Sequence, residues 1–495
     1  MQGEYRGDFT RDTFNLAKRF SRVLMQQGCV QLDADWNEQT SILWHYLRSL
    51  AADLMGPHGG PNDGFLIEPL IGDEAKQVAL DFSVHGGHYY VNGIRCENDT
   101  AALAYKKQPG FPFSQDSILV SSKTYLVFLD VWERHITCNQ DGDICEVALG
   151  GPDTATRAQV VSQVKVLLLG TAEATKDLEK AVADLQKAAG TAISPAHQVV
   201  DLKFTAIQEK LATNGTLRAR ARVTEKSTDP CTISPESQYR GAENQLYRVE
   251  IHKGGVAWKG TPDNAGNAVE AATFKWSRDN GSVIFPILTL ADDTIKLASL
   301  GRDKRQSLKI GDWVEIVDDA DALRGEAGPL LQVKDIKPDE MVITLSASAN
   351  RTYKENDSRH PLLRRWDQPD SNGNLAESAL LLKEDKGEDD KNWIALEDGV
   401  QIQFTPPPPG SSNTYRAGDY WLIPARVATG DVLWPKQNKP TGEVDTYPSG
   451  NPIPATLSPH GVEHNYAPLA VVDVGGDGTI TPVTDLRRTF TPLAL

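Results

Sequence analysis

The sequence predicts a mainly β, multi-domain protein with an N-terminal helix and an inserted helical hairpin, its strands gathered into sandwich-like or barrel-like modules. Runs of β-branched and aromatic residues recur between tight-turn dipeptides such as Asn92-Gly93 and Asn280-Gly281. Helical periodicity is confined to one stretch near the N-terminus and one near the middle of the chain. At 495 residues the chain exceeds what one hydrophobic core organises.

The N-terminal helix is announced by "QQGCVQLDADWNEQ", Gln26 to Gln39. Asp33, Asp35 and Asn37 alternate like the first ligands of a calcium loop, but the glycine and the bidentate glutamate such a loop needs are replaced by Glu38 and Trp44. Capping accounts for more of the residues. Asp35 suits an N-cap, and Glu38 follows three later as in a capping box. Ile42, Leu43, Tyr46, Leu47, Leu50, Ala51 and Leu54 then keep three- and four-residue spacing until Gly56-Pro57. The cluster Asp33, Asp35, Trp36, Asn37 and Glu38 is therefore read as a structural motif that fixes the helix against the β-core or a neighbouring subunit.

Strands follow. "GGHYYVNGIRCEN" reads as a hairpin about Asn92-Gly93, and "TYLVFLDVWERHITC" as a long buried strand. "NQDGDICEVAL" is expected to turn at Asp141-Gly142 and return, which explains Asn139, Asp141 and Asp143 better than a calcium loop does. From Thr171 to Thr213 two apolar stripes at helical spacing, broken between Gly190 and Pro195, predict a helical hairpin inserted between strands. "NQLYRVEIHKGG" and "ATFKWSRDNGSVIFPI" resume the β pattern. Between Ile287 and Ser346 short strands recur at the spacing of a small barrel or sandwich. The charged loop "KEDKGEDDKN" and the Pro406–Pro409 run precede the last strand-like segments, "YRAGDYWLIPARV" and "YAPLAVVDVGGDGTITPVTDLRRTF". Four regions result: 1–115, the helix and hairpin anchoring region; 116–286, a β-rich core with the 171–213 insertion; 287–350, the small barrel or sandwich; and 351–495, a C-terminal β-rich region.

A net charge of -16 disfavours nucleic acid, since phosphate binding needs a basic surface. No apolar run approaches the roughly 18 residues of a membrane-spanning helix, and the polar opening lacks a secretory core, so the expected compartment is the cytoplasm. Five cysteines with no C-x-x-C pair argue against a disulfide framework or structural zinc. Cys138 and Cys145 can face one another across the hairpin, but free buried thiols are the favoured reading. "HGVEH", His460 to His464, matches H-x-x-E-H, yet Gly461 inside it and Pro468 after it oppose the helix that zinc ligation requires. No nucleophile elbow, phosphate loop or dinucleotide fingerprint is present. The sequence therefore assigns no catalytic residue, metal ligand or cofactor. Aromatic and arginine residues are favoured at interfaces, which makes Trp132, Arg134, Tyr239, Arg240, Trp276, Arg278, Trp366 and Trp421 the candidate interface, with most such aromatics expected to pack in cores.

The segments "GDFTRDTF", "SRVLMQQGCVQLDADWNEQ", "YYVNGIRCEN", "FLDVWERHIT", "ALGGPDTATRAQVV", "YRGAENQLYRVEIH", "FKWSRDNGSVIFPI" and "GDYWLIPAR" resemble a family of uncharacterised bacterial proteins associated with phage-tail-like contractile injection systems. The opening motif is also similar to the N-terminal segment of some phage baseplate and tail-fibre proteins. The resemblance spans most of the chain and weakens across the insertion and the 287–346 stretch. It departs at Cys29, where the pattern has Arg. It implies a structural, non-enzymatic part of the particle at or around the baseplate, a subunit, fibre or shell, whose partners are other particle proteins and further copies of itself. Such a part is made in the bacterial cytoplasm and then carried on the particle. A receptor- or glycan-binding module at the tip, and a cell-wall glycan hydrolase, are the alternatives.

Overall fold

The computed structural model describes residues 5–70, 80–111, 118–149, 154–170, 213–222, 238–259, 271–301, 303–369, 375–376, 378–385 and 392–491. The chain is mainly β and multi-domain, with one long N-terminal helix and its sheets arranged around three large hydrophobic cores. The helical hairpin expected over 171–213 lies outside the described residues except for Thr213.

The first core lies between two sheets. Strand Lys123–Ile136 is central in an antiparallel sheet of order Ile480–Asp485, Asn465–Val474, Lys123–Ile136, Arg157–Gly170. Its alternate residues Tyr125, Val127, Leu129 and Val131 face the core, while Leu126 joins Val471 and Leu486 on the other side. Burial of both faces explains why this strand reads as a nearly continuous apolar run. Against it packs the sheet of the Phe82–Val91 and Ile94–Ala104 hairpin, contributing Phe82, Val84, Tyr89 and Val91. The hairpin turns at Asn92 and Gly93, both at positive φ. A Cβ on Gly93 would lie 2.2 Å from the Arg48 carbonyl oxygen, so this turn also needs glycine to let the helix pass.

A second core fills a sandwich. One of its sheets centres on Thr273–Ser277, Gln245–Lys253 and Tyr420–Arg426, and the other on Val400–Thr405 with Thr216–Ala221. Tyr247, Trp276, Phe404 and Trp421 meet between them. The third core is the interior of a closed six-stranded barrel, in the order Ile284–Ala291, Thr294–Leu297, Val342–Leu345, Leu330–Lys337, Trp313–Val317, Leu362–Trp366. Its strands reach past 287–350 at both ends, because Ile284 pairs with Arg364 and Trp313 with Trp366. Strands beyond residue 350 also complete the other sheets: Asn465–Val474 pairs with Lys123–Ile136, and Thr489–Phe490 runs parallel to His58–Pro61.

Two local expectations are corrected. Residues 139–149 make no returning strand, and the chain returns only later, as Arg157–Gly170. These residues coil through the 3-10 turns Gly142–Ile144 and Val147–Leu149, with the Asp141 carboxylate accepting from the Asp143 N–H, and Cys138 and Cys145 form a disulfide. That tight coil brings the two Cα atoms to 5.6 Å, within the range a disulfide spans. Of the other described cysteines, Cys29 is exposed and Cys96 buried. The long helix, α1, spans Asp33–Met55 and begins two residues before the expected cap. Leu32 holds the N-cap position, and Asp35, three residues on, accepts a 3.2 Å hydrogen bond from the Leu32 N–H.

Candidate interaction surface

The two polar motifs of the N-terminal region are halves of one hydrogen-bonded unit. Asp33 of α1 accepts from both the N–H (2.9 Å) and the hydroxyl (2.6 Å) of Thr10. Glu38 accepts from the Thr13 hydroxyl at 2.6 Å, and the Gln39 side-chain oxygen accepts from the Val23 N–H at 2.8 Å. "GDFTRDTF" is thus an extended arm strapped alongside α1, and the acidic residues that imitate metal ligands are occupied by threonines and backbone. Asn37 bears a helical C=O that accepts from the Ser41 hydroxyl. Among the described residues no group of three or more His, Cys, Asp or Glu side chains is placed to hold a metal ion. Replacing Asp33 with alanine is expected to free the arm while leaving the β body folded. Limited proteolysis should cut within residues 8–32 much faster, and global stability should fall by about 1–2 kcal/mol at most, as for loss of exposed charge-assisted hydrogen bonds.

The start of the arm is driven into the body by charge. Arg6 meets Glu250 at 3.0 Å, Arg248 donates to the same carboxylate at 2.6 Å, and the Lys275 ammonium lies 3.4 Å from it. Lys275 continues at 2.7 Å to Glu315, which accepts from the Trp366 indole N–H at 2.9 Å. Arg248, with no exposed surface, lies 3.5 Å from the centre of the Tyr420 ring, and its guanidinium donates to the Tyr5 carbonyl. Burial opposes ionisation of Glu250, but Arg6, Arg248 and Lys275 outweigh it and hold the carboxyl well below the usual range. Burial, reinforced by Arg6, lowers Arg364 beside them to about 9. Asn280 closes the junction by donating to the Gly7 carbonyl at 2.9 Å.

With its root fixed, α1 stands off the body. Arg48 reaches Glu133 at 2.8 Å, and only Ala34 and Ile42 of the helix are buried. Between helix, arm and barrel lies a cleft of about 1630 Å³, lined in part by Trp36, Asn37, Ser41, Trp44, His135 and Phe285. Burial, with help from Arg364, lowers His135 to about 3, so it is neutral at physiological pH. The outward face of α1 is apolar and open: Trp36 is 72% exposed, Leu43 53%, Leu47 57%, Leu50 57% and Leu54 78%. Leu16, Phe20, Leu24 and Met25, between the arm and the helix, are exposed as well. With Trp44 and Tyr46 on the flanks, roughly 800 Å² of apolar surface lies open along the helix, well above what a monomer ordinarily leaves in one patch.

The residues the sequence offered as interface are elsewhere. Trp276, Trp366 and Trp421 are each 1% exposed, and Trp132 and Tyr239 are also buried. Arg134 pairs with Asp319 at 3.2 Å, and Arg278 with Glu397 at 2.8 Å. Arg240 alone of the eight is exposed. Trp132, Trp276, Trp366 and Trp421 lie in strands and pack in the interior, while Tyr239 and Arg240 lie outside any strand. The open surface was missed because its leucines, taken by helical spacing alone, resemble a core-facing stripe. The residues of "HGVEH" do not converge: His460 exchanges backbone hydrogen bonds with Tyr420 as an isolated bridge, and His464 is 2.7 Å from Asp130. Burial lowers His460 to about 4.

The model of a family of unknown function, DUF6519, matches residues 5–216 and 202–480, and the chain belongs to that family. No curated protein and no solved structure matches it.

Proposed function

We propose that this member of DUF6519 is a structural, non-enzymatic component of a phage-tail-like contractile injection particle, at or around the baseplate, as a baseplate-associated subunit, fibre or shell. One observation carries the assembly part of the reading: a row of large apolar side chains on α1, a helix strapped to a braced β body, is left open to solvent. Burying such a surface against another protein is strongly favourable, whereas holding it in water is not. The contractile-particle context comes from the resemblance of the motif segments, of which the arm and the start of α1 are two. On this reading the chain is made in the bacterial cytoplasm, meets other particle proteins there, and leaves it only with the particle. No helix among the described residues is long and apolar enough to cross a membrane. The aromatics that motivated the glycan-binding alternative are packed in cores, which removes its supporting residues.

Deleting the gene and imaging purified particles by cryo-EM tests the reading. Loss of a defined density at or around the baseplate, restored by the wild-type gene, is the expected result. Particles of unchanged composition with no missing density would sink it.

A further inference from the structure

The apolar residues of α1 are spaced for another helix. Trp36, Thr40, Leu43, Leu47, Leu50 and Leu54 follow one another at intervals of four, three, four, three and four residues, the a/d pattern of a coiled coil. Leu43, Leu47, Leu50 and Leu54 lie on the side of α1 away from the buried Ala34, while Trp36 and Thr40 also border the cleft toward the body. The positions flanking the seam are Asn37, Gln39, Trp44, Tyr46, Ala51 and Asp53, of which Asp53 alone is charged. Nothing there selects a partner by opposite charge, and almost nothing repels an identical helix.

The geometry points to a second copy of this chain as the occupant, with the two α1 helices antiparallel in a two-fold symmetric dimer. In one antiparallel register every layer is filled: Trp36 meets Leu54 of the other copy, Thr40 meets Leu50, and Leu43 meets Leu47. A parallel pairing would bring two acidic first turns together, each carrying Asp33 and Asp35, while the antiparallel one separates them by the length of the helix and opposes the helix dipoles. The roughly 800 Å² open along each helix is what one partner of a standard interface buries. A two-fold axis closes the contact, so the assembly stops at two.

The inference stands apart from the particle reading: a chain that dimerises through the seam yet belongs to no particle would overturn only the latter. Sedimentation velocity of the full chain at micromolar concentration tests it. The wild type should sediment as a dimer, and Leu47→Glu and Leu50→Glu, which alter side chains exposed in the single chain, should halve the mass while keeping the wild-type circular dichroism. Disulfide trapping in a Cys29→Ser background fixes the direction. A mixture of Trp36→Cys and Leu54→Cys chains should crosslink, and neither alone. A monomeric wild type, a larger oligomer, a dimer untouched by both glutamates, or Leu54→Cys crosslinking to itself would each overturn the proposal.

Discussion

Replacing Glu250 with alanine is expected to destabilise the chain by about 3–5 kcal/mol, the cost of breaking a buried ion network on one side. The carboxylate lies among Arg6, Arg248 and Lys275, all but Arg6 without appreciable exposure, so its removal leaves three cations facing one another in a medium that solvates them poorly. Chemical denaturation gives the magnitude. A loss below about 1 kcal/mol would mean that water reaches the cluster. Glu250→Gln should recover packing but not charge, and fall closer to alanine than to wild type. Because Arg6 roots the arm, both variants should also expose the arm to protease. The pH dependence follows from the depressed folded-state pKa. The stabilisation from Glu250 is fully present above the ordinary glutamate pKa of about 4.3 and is lost as pH falls below that toward the folded value. Relative to Glu250→Gln, the wild-type advantage should therefore be flat at neutral pH and shrink in acid.

A loss of similar size, about 3–5 kcal/mol, is expected for Trp421→Ala. The indole lies between the two sheets of the sandwich, 5.7 Å from the Phe404 ring centre, and its N–H donates to the Leu457 carbonyl at 3.0 Å. The variant opens a cavity and removes one of two donors to that carbonyl, which keeps the Leu217 N–H at 3.0 Å. Trp44→Ala provides the contrast. Its ring is 54% exposed, so denaturation of the monomeric Leu47→Glu protein should change by no more than about 0.5 kcal/mol when Trp44 is also replaced. Similar losses at Trp421 and Trp44 would contradict the assignment of one to the core and the other to the open surface.

Much of the β architecture was legible because it is written at short range. The apolar run in "TYLVFLDVW", the turn at Asn92-Gly93 and the short strands after Ile287 each depend on neighbours a few residues away, and each appears as a strand, a turn or a barrel stave. The long helix was legible for the same reason. A shorter one, Asp319–Arg324, was not, since six residues are too few to establish a period, although its Asp318 cap and reciprocal Asp321 form a capping box.

Pairing across the chain was hidden. Nothing local in "NYAPLAVVDV" states that it lies against Lys123–Ile136, more than 300 residues earlier, and register between distant strands is chosen by the face each must bury. The role of the acidic cluster was hidden in the same way. Asp33 and Glu38 are capping or metal-binding side chains by composition, and only the placement of Thr10 and Thr13 beside them makes them straps. The sequence by itself determined that this chain is mainly β with an N-terminal helix, because hydrophobic periodicity follows backbone geometry residue by residue. The tertiary structure alone decided which apolar residues are inside. Trp421 and Leu50 are both hydrophobic, but one lies between two sheets and the other on a helix whose opposite side is held by Arg48, so burial was fixed by what surrounds each position.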